Sequence, residues 1–138
     1  MSAIALPAHS RHSGRGGPLQ IRAFEEPDRH VLELSGELDL GAAPTFEEAA
    51  RRLARRGGEE LLVDISEVGF IDSMGLRAIL SVKGACERAG CAFTMTHGSE
   101  QTERVFELTR LLDRLPFRRS RQDGERREIE LWPSRIPA

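Results

Sequence analysis

Ser73 stands in the segment Ile71-Asp72-Ser73-Met74-Gly75, behind an apolar run and ahead of a helical pattern. A hydroxyl at such a junction can cap the helix, act as a nucleophile or accept a phosphate, because a helix start has unpaired N–H groups and a positive dipole end. Spacing separates these options only in part. A nucleophile elbow reads G-x-S-x-G, but Ile71 takes the place of the first glycine and His97 is the only downstream histidine that could serve as base. Hydrolase chemistry is therefore disfavoured. A phosphate-cradling P-loop has four residues between its glycines and then Lys-Ser or Lys-Thr, whereas Gly69 and Gly75 enclose five and are followed by Leu76-Arg77. Asp39, Asp64 and Asp72 suggest an acidic metal cluster, yet Asp64 falls inside an apolar strand and no lysine lies near it; turn and strand-end duties explain these acids equally well. Capping and phosphate acceptance both remain open for Ser73. Its loop also carries an acid, a thioether and a flexible glycine, a patch that a kinase or a partner surface could read.

Composition narrows the classes. The chain has 138 residues, 30% of them charged, with a formal net charge of -2. That length holds one domain with a real core, and that balance gives neither a basic field for nucleic acid nor an acidic tail. Lys83 is the only lysine, and Tyr and Asn are missing, which reads as codon bias. No apolar run approaches the roughly 20 residues of a membrane helix, and no signal-peptide pattern opens the chain. A soluble cytoplasmic protein is expected. Cys86 and Cys91 have four residues between them, unlike a redox C-x-x-C or a zinc knuckle, and read as a buried helix thiol and a strand-start thiol. His9, His12, His30 and His97 are scattered, so spacing builds no metal site, and no cofactor is implied.

The elements that must position Ser73 follow from periodicity. Residues 1–18 mix Ser, His, Gly, Arg and Pro and read as a flexible arm. Alternation from Leu19 to Phe24 and again from Val31 to Leu38, around a turn at Glu26-Pro27-Asp28, predicts a hairpin. A helix follows, with Thr45 and Glu48 as a capping box or Pro44 as its first residue, and with Phe46, Ala49, Ala50 and Leu53 as its apolar stripe up to Gly57-Gly58. Its Arg51-Arg52 and Arg55-Arg56 pairs suit the helix C-terminus and a solvated face. The near-continuous run Leu61, Leu62, Val63 and Ile65 predicts a central strand covered on both faces. Leu76, Ile79, Leu80, Val82, Cys86 and Ala89 give a second helix ending at Gly90, followed by a strand through Cys91, Phe93 and Met95. Ser99 opens a third helix with Val105, Leu108, Leu112 and Leu115 as its stripe and Pro116 as its stop. Residues 118–138 form a polar, Arg-rich tail in which Ile129 to Trp132 could add a terminal strand. This order is α/β, one domain over 19–117, with parallel strand-helix-strand crossovers and a mixed sheet.

The residues Asp64-Ile65-Ser66, Val68 and Phe70-Ile71-Asp72-Ser73-Met74-Gly75-Leu76 resemble the STAS domain, in particular the bacterial anti-sigma factor antagonists. Leu34-Ser35-Gly36-Glu37-Leu38-Asp39 and the helix start at Pro44 are similar to that family's second strand and loop, and the likeness runs over about 19–117. It implies the STAS fold, a mixed sheet of four or five strands packed on helices, and a phosphorylatable serine at Ser73. It also implies a docking face of Asp39, Leu40, Asp72, Ser73, Met74, Gly75, Leu76 and Arg77. Two positions depart from the family: Met74 stands where a second hydroxyl is common, and Arg77 where a small residue is common.

The function implied by the resemblance is that of a regulatory binding module without catalysis. The unphosphorylated form would bind an anti-sigma factor, a serine kinase with an ATP-binding fold, and so release a sigma factor. Phosphorylation of Ser73 would end that binding, and a serine phosphatase would restore it. A monomer or weak dimer is expected, with no direct contact to nucleic acid or membrane. Two other readings fit the same fold: an accessory STAS subunit of a transporter, and a scaffold in a stress-sensing complex.

Overall fold

Alternation of apolar side chains from Leu19 onward builds the sheet that carries the rest of the molecule. The computed structural model describes residues 4–5, 17–111, 113–118 and 125–132. Its elements are β1 (Ile4–Ala5), β2 (Gln20–Glu26), β3 (Arg29–Leu38), α1 (Ala43–Arg55), β4 (Glu60–Ile71), α2 (Ser73–Ala89), β5 (Ala92–Met95), α3 (Glu100–Leu108) and β6 (Arg127–Ile129). The strands form one mixed sheet in the order β1-β2-β3-β4-β5, with β6 also on β2. The hairpin β2–β3 is antiparallel, in register from Gln20 opposite Ser35 to Glu26 opposite Arg29, so Pro27 and Asp28 make its turn. Strands β3, β4 and β5 run parallel, as helical crossovers between them require.

The period of two sorts the side chains. Ile21, Leu32, Leu34, Leu61, Val63, Ile65, Phe93 and Met95 join one buried cluster with Phe46 and Leu53 of α1 and Ile79 and Val82 of α2. The opposite face buries a smaller cluster of Phe24, Val31 and Leu62. Asp64 lies on that second face, buried within β4, where its Oδ1 accepts from Ser66 N–H (2.9 Å), Ser66 Oγ (2.7 Å) and Thr96 Oγ1 (3.2 Å). A buried carboxylate supplied with donors in this way is a structural element of the strand.

Several expectations are corrected. The capping box does not form: α1 begins at Ala43 with Pro44 in its first turn, its N-cap Ala42 makes no side-chain bond, and Glu48 pairs with Arg52 instead. β4 runs on past Ile65 to Ile71 and stays paired with β3 across two register shifts. α3 ends at Leu108, which is 78% exposed; Phe106, Leu111 and Leu115 take the buried positions once Arg110 turns the chain at φ 60°. Leu112 lies outside the described residues. The terminal strand starts earlier than Ile129, and within the expected arm Ile4 and Ala5 pair with Ile21 and Gln20; the remainder of 1–16 and residues 119–124 lie outside the described residues.

The C-terminal segment is bound to the sheet by charge and by burial. Arg126 reaches Glu26 (3.0 Å) and Glu33 (2.9 Å) and lies over the Phe24 ring, Arg22 pairs with Glu128 (3.1 Å), and Arg127 pairs with Glu25. Ile129 and Leu131 are buried, and Arg52 of α1 donates to the Leu131 carbonyl (2.9 Å) while lying over Trp132. Cys86 and Cys91 are free and buried, and burial beside Cys91 pushes the Cys86 thiol up to about 12. It stays a packing thiol at physiological pH.

His30, buried at the start of β3, has its pKa lowered by burial and, to a smaller extent, by Arg56, against the opposing pull of Glu25. Its folded pKa lies below the ordinary 6.5, so the unfolded chain takes up the proton first as pH falls. His30 therefore contributes stability above that value which is lost progressively below it. Urea midpoints of the wild type and His30→Gln measured from pH 7.5 to 5.5 should show the steeper loss in the wild type; parallel curves would show that His30 is not the source.

Candidate functional site

α2 starts where it does because Asp72, in an extended conformation, turns its carboxylate back over the first turn. Oδ1 accepts from Gly75 N–H (2.8 Å). The N-cap is thus Asp72 and not Ser73, which removes capping as the explanation of the serine. The second oxygen, Oδ2, accepts from Leu40 N–H (3.0 Å), a residue 32 positions earlier. One carboxylate holds the helix start and the loop after β3 together.

The same junction explains Gly75. A Cβ there would lie 2.2 Å from the Leu38 carbonyl oxygen, so only glycine lets α2 approach the end of β3. Asp72 N–H also donates to the Leu38 carbonyl (3.2 Å). Asp39 completes the loop from inside: its Oδ1 accepts from Ala42 N–H (3.1 Å), and its carbonyl accepts from Ala42 (3.0 Å) and Ala43 (2.9 Å). These bonds substitute for the side-chain cap that α1 lacks.

The residues expected on a docking face divide by depth. Ser73 and Arg77 are exposed, Leu40 is 62% exposed, and Asp72 and Met74 are half-buried. Asp39, Gly75 and Leu76 are buried; Leu76, expected in the contact, is 7% exposed and packs into the core. These three position the surface and do not form it. A shallow groove of about 320 Å³ runs beside the loop, lined by Leu40, Pro44 and Glu47 on one side and Met74, Arg77 and Ser81 on the other. Pro44, Glu47 and Ser81 were not among the expected residues. Each helix shows its half of the groove at three- and four-residue spacing, but only the packing of α1 on α2 reveals that the halves face each other. Glu47 spans it, accepting from Arg51 (2.9 Å) and from Ser81 Oγ (3.2 Å).

Chemically, the site offers an exposed hydroxyl on an immobilised backbone. Because Asp72 occupies Gly75 N–H, the first-turn N–H groups of Ser73 and Met74 are the helix donors left beside that hydroxyl. The base that a hydrolase would need is engaged elsewhere, His97 being bound to Glu103 (3.0 Å) and stacked on Phe117 at 4.4 Å. Among the described residues no group of three or more His, Cys, Asp or Glu is placed to hold a metal ion, and no helix is long and apolar enough to cross a membrane.

Comparison with known proteins adds to this geometry. The family model of the STAS domain matches residues 21–124. An anti-sigma-B factor antagonist of Staphylococcus epidermidis is 26% identical over 95 residues, covering 69% of this chain and 88% of the relative. Among solved structures, an anti-sigma factor antagonist from Mycobacterium paratuberculosis aligns with a TM-score of 0.65 at 24% identity, covering 72% of this chain and 84% of that one. The anti-sigma factor antagonist SpoIIAA in its unphosphorylated form aligns with a TM-score of 0.60 at 18% identity, covering 73% and 89%. At these identities the solved structures bear on the fold alone.

The double role of Asp72 sets an expectation. Asp72→Ala removes the cap and frees the Leu40 loop, and should lower unfolding stability by about 1–2 kcal/mol, the usual cost of a lost cap. Urea denaturation measures it, with Asp72→Asn, which keeps an acceptor, losing less. Gly75→Ala should cost more than Asp72→Asn, because backbone must move to admit the methyl group; equal midpoints for Gly75→Ala and wild type would contradict the close approach.

Proposed function

The chain belongs to the STAS domain family, and from that premise we propose that it is an anti-sigma factor antagonist switched by phosphorylation of Ser73. The observation that carries this reading is the exposed Ser73 hydroxyl at the first position of α2, on backbone fixed by the two bonds of the Asp72 carboxylate. In the unphosphorylated state the surface of Leu40, Ser73, Met74 and Arg77 docks an anti-sigma factor that is a serine kinase with an ATP-binding fold. Docking frees the sigma factor. The kinase then transfers the γ-phosphoryl group of ATP: the Ser73 Oγ–P bond forms, the bond to the ADP oxygen breaks, and the hydroxyl proton is released. A serine phosphatase hydrolyses the phosphoester and resets the protein. The chain supplies the acceptor and the docking face and does no catalysis of its own.

The physical basis of the switch is local. A phosphate adds about -1.5 to -2 charges at pH 7, at a helix start whose free N–H groups and dipole tolerate it. The buried positions Asp39, Gly75 and Leu76 are untouched, so the fold persists. At the surface, a hydrated dianion beside Asp72 and the apolar Leu40 and Met74 imposes desolvation and like-charge costs on a partner that fits the uncharged hydroxyl. A cost of about 3 kcal/mol weakens binding more than a hundredfold, since each 1.4 kcal/mol is tenfold.

Incubation with candidate anti-sigma kinases and ATP, followed by intact-mass measurement and peptide mapping, should place a single phosphate on Ser73. Ser73→Ala should bind the kinase whether or not ATP is present, and Ser73→Glu should bind about a hundredfold more weakly, as expected for a displaced few kcal/mol. If both variants bind a cognate kinase as the wild type does, the switch is not at Ser73. Co-purification with a transporter ATPase would instead favour an accessory role.

A further inference from the structure

We infer that Arg77 is the internal counter-ion of phosphorylated Ser73, a clamp carried on the same helix as the acceptor. The inference rests on the reading of Ser73 as the phosphoacceptor and adds how the phosphorylated state is held. Ser73 and Arg77 stand four residues apart in α2 and are both exposed. Side chains at that spacing are neighbours on one helix face, and an acid placed N-terminal to a base is the favourable order.

Arg77 is free to serve. Among the described residues it makes no hydrogen bond or ion pair, whereas Arg51, Arg52 and Arg55 of α1 pair with Glu47 and Glu48, and Lys83 of α2 pairs with Glu87. The charged groups placed around this junction are Asp72 at the cap of α2, Asp39 in the loop bonded to it and, across the groove, Glu47 of α1, which Arg51 and Ser81 already engage. A phosphate on Ser73 would therefore sit beside the Asp72 carboxylate with Arg77 as the available cation. The planar guanidinium can donate to two phosphate oxygens at once, which favours the dianion over the monoanion.

Phosphorylation then acts twice on the docking face. It places a dianion at Ser73 and draws Arg77 away from the groove it shares with Leu40 and Met74. A partner carboxylate that pairs with Arg77 in the unphosphorylated state loses its cation at the moment the phosphate arrives.

The test installs phosphoserine at position 73 of the full chain during synthesis, so it does not depend on any kinase. The phosphate is titrated by ³¹P NMR in the wild-type background, in Arg77→Gln and in Arg77→Lys. A phosphoserine ordinarily loses its second proton near pH 6. Loss of the neighbouring cation should raise the midpoint in Arg77→Gln by about 0.2–0.4 pH unit, as expected for an exposed pair at this helical spacing. Arg77→Lys, which keeps the charge, should stay close to the wild-type background. Equal midpoints with Arg77 and with Gln at this position would overturn the clamp, as would a lysine variant that titrates like the glutamine one. A kinase that fails to label Ser73 would defeat the proposed switch and leave this titration unaffected, so the two ideas fail separately.

Discussion

A single carboxylate, that of Asp72, accepts from the backbone of two segments that meet only in the folded chain: Gly75 in the first turn of α2 and Leu40 in the loop after β3. Hydrogen bonds to a charged acceptor are among the stronger ones in proteins, and here two of them converge on a residue with little freedom. The start of α2, the path of the β3–α1 loop and the direction in which Ser73 faces all depend on this one group. Glycine at 75 is the complementary condition, since it lets the helix come close enough to β3 for the carboxylate to reach both donors. Without these two residues the Ser73 hydroxyl has no fixed place.

That arrangement divides the loop into residues that hold it together and residues that it presents to solvent. Asp39, Gly75 and Leu76 are inside, while Leu40, Ser73 and Arg77 are outside and Met74 lies between. Of the residues from Asp72 to Leu76, Ser73 alone is fully exposed. The pattern Asp-Ser-x-Gly-Leu meets the demands of a tight helix start, since Asp72 caps the first turn and Gly75 allows the close approach to β3. Arg77, exposed, and Met74, half-buried, are the two positions at which the sequence departs from the family resemblance.

Much of the fold was legible because its signals are local. The hairpin around Pro27-Asp28 is marked by alternation and a turn, α2 by a long three- and four-residue stripe closed at Gly90, and the buried run of β4 by consecutive apolar residues. What failed was decided by tertiary contacts. Thr45 and Glu48 have the spacing of a capping box, but Asp39 supplies the acceptors for the start of α1, and Glu48 is drawn to Arg52. Leu108 fits a helical stripe, but the turn at Arg110 hands its place to Leu111. At the site, Ser73 could be located by pattern, whereas Glu47 and Ser81 belong to it only because α1 and α2 pack side by side.

The seating of β6 on β2 has a consequence in time. Residues 23–25, near the beginning of the chain, pair with residues 127–129, near its end. The edge of β2 they cover is an open template for strand pairing until its partner arrives. During synthesis, the site around Ser73 can assemble while this edge is still waiting for residues not yet translated. Contacts so distant in sequence close slowly because the intervening loop must first lose its entropy. The junction at Ser73 can therefore close before the boundary of the sheet does, and until then the uncovered edge is open to wrong strand partners.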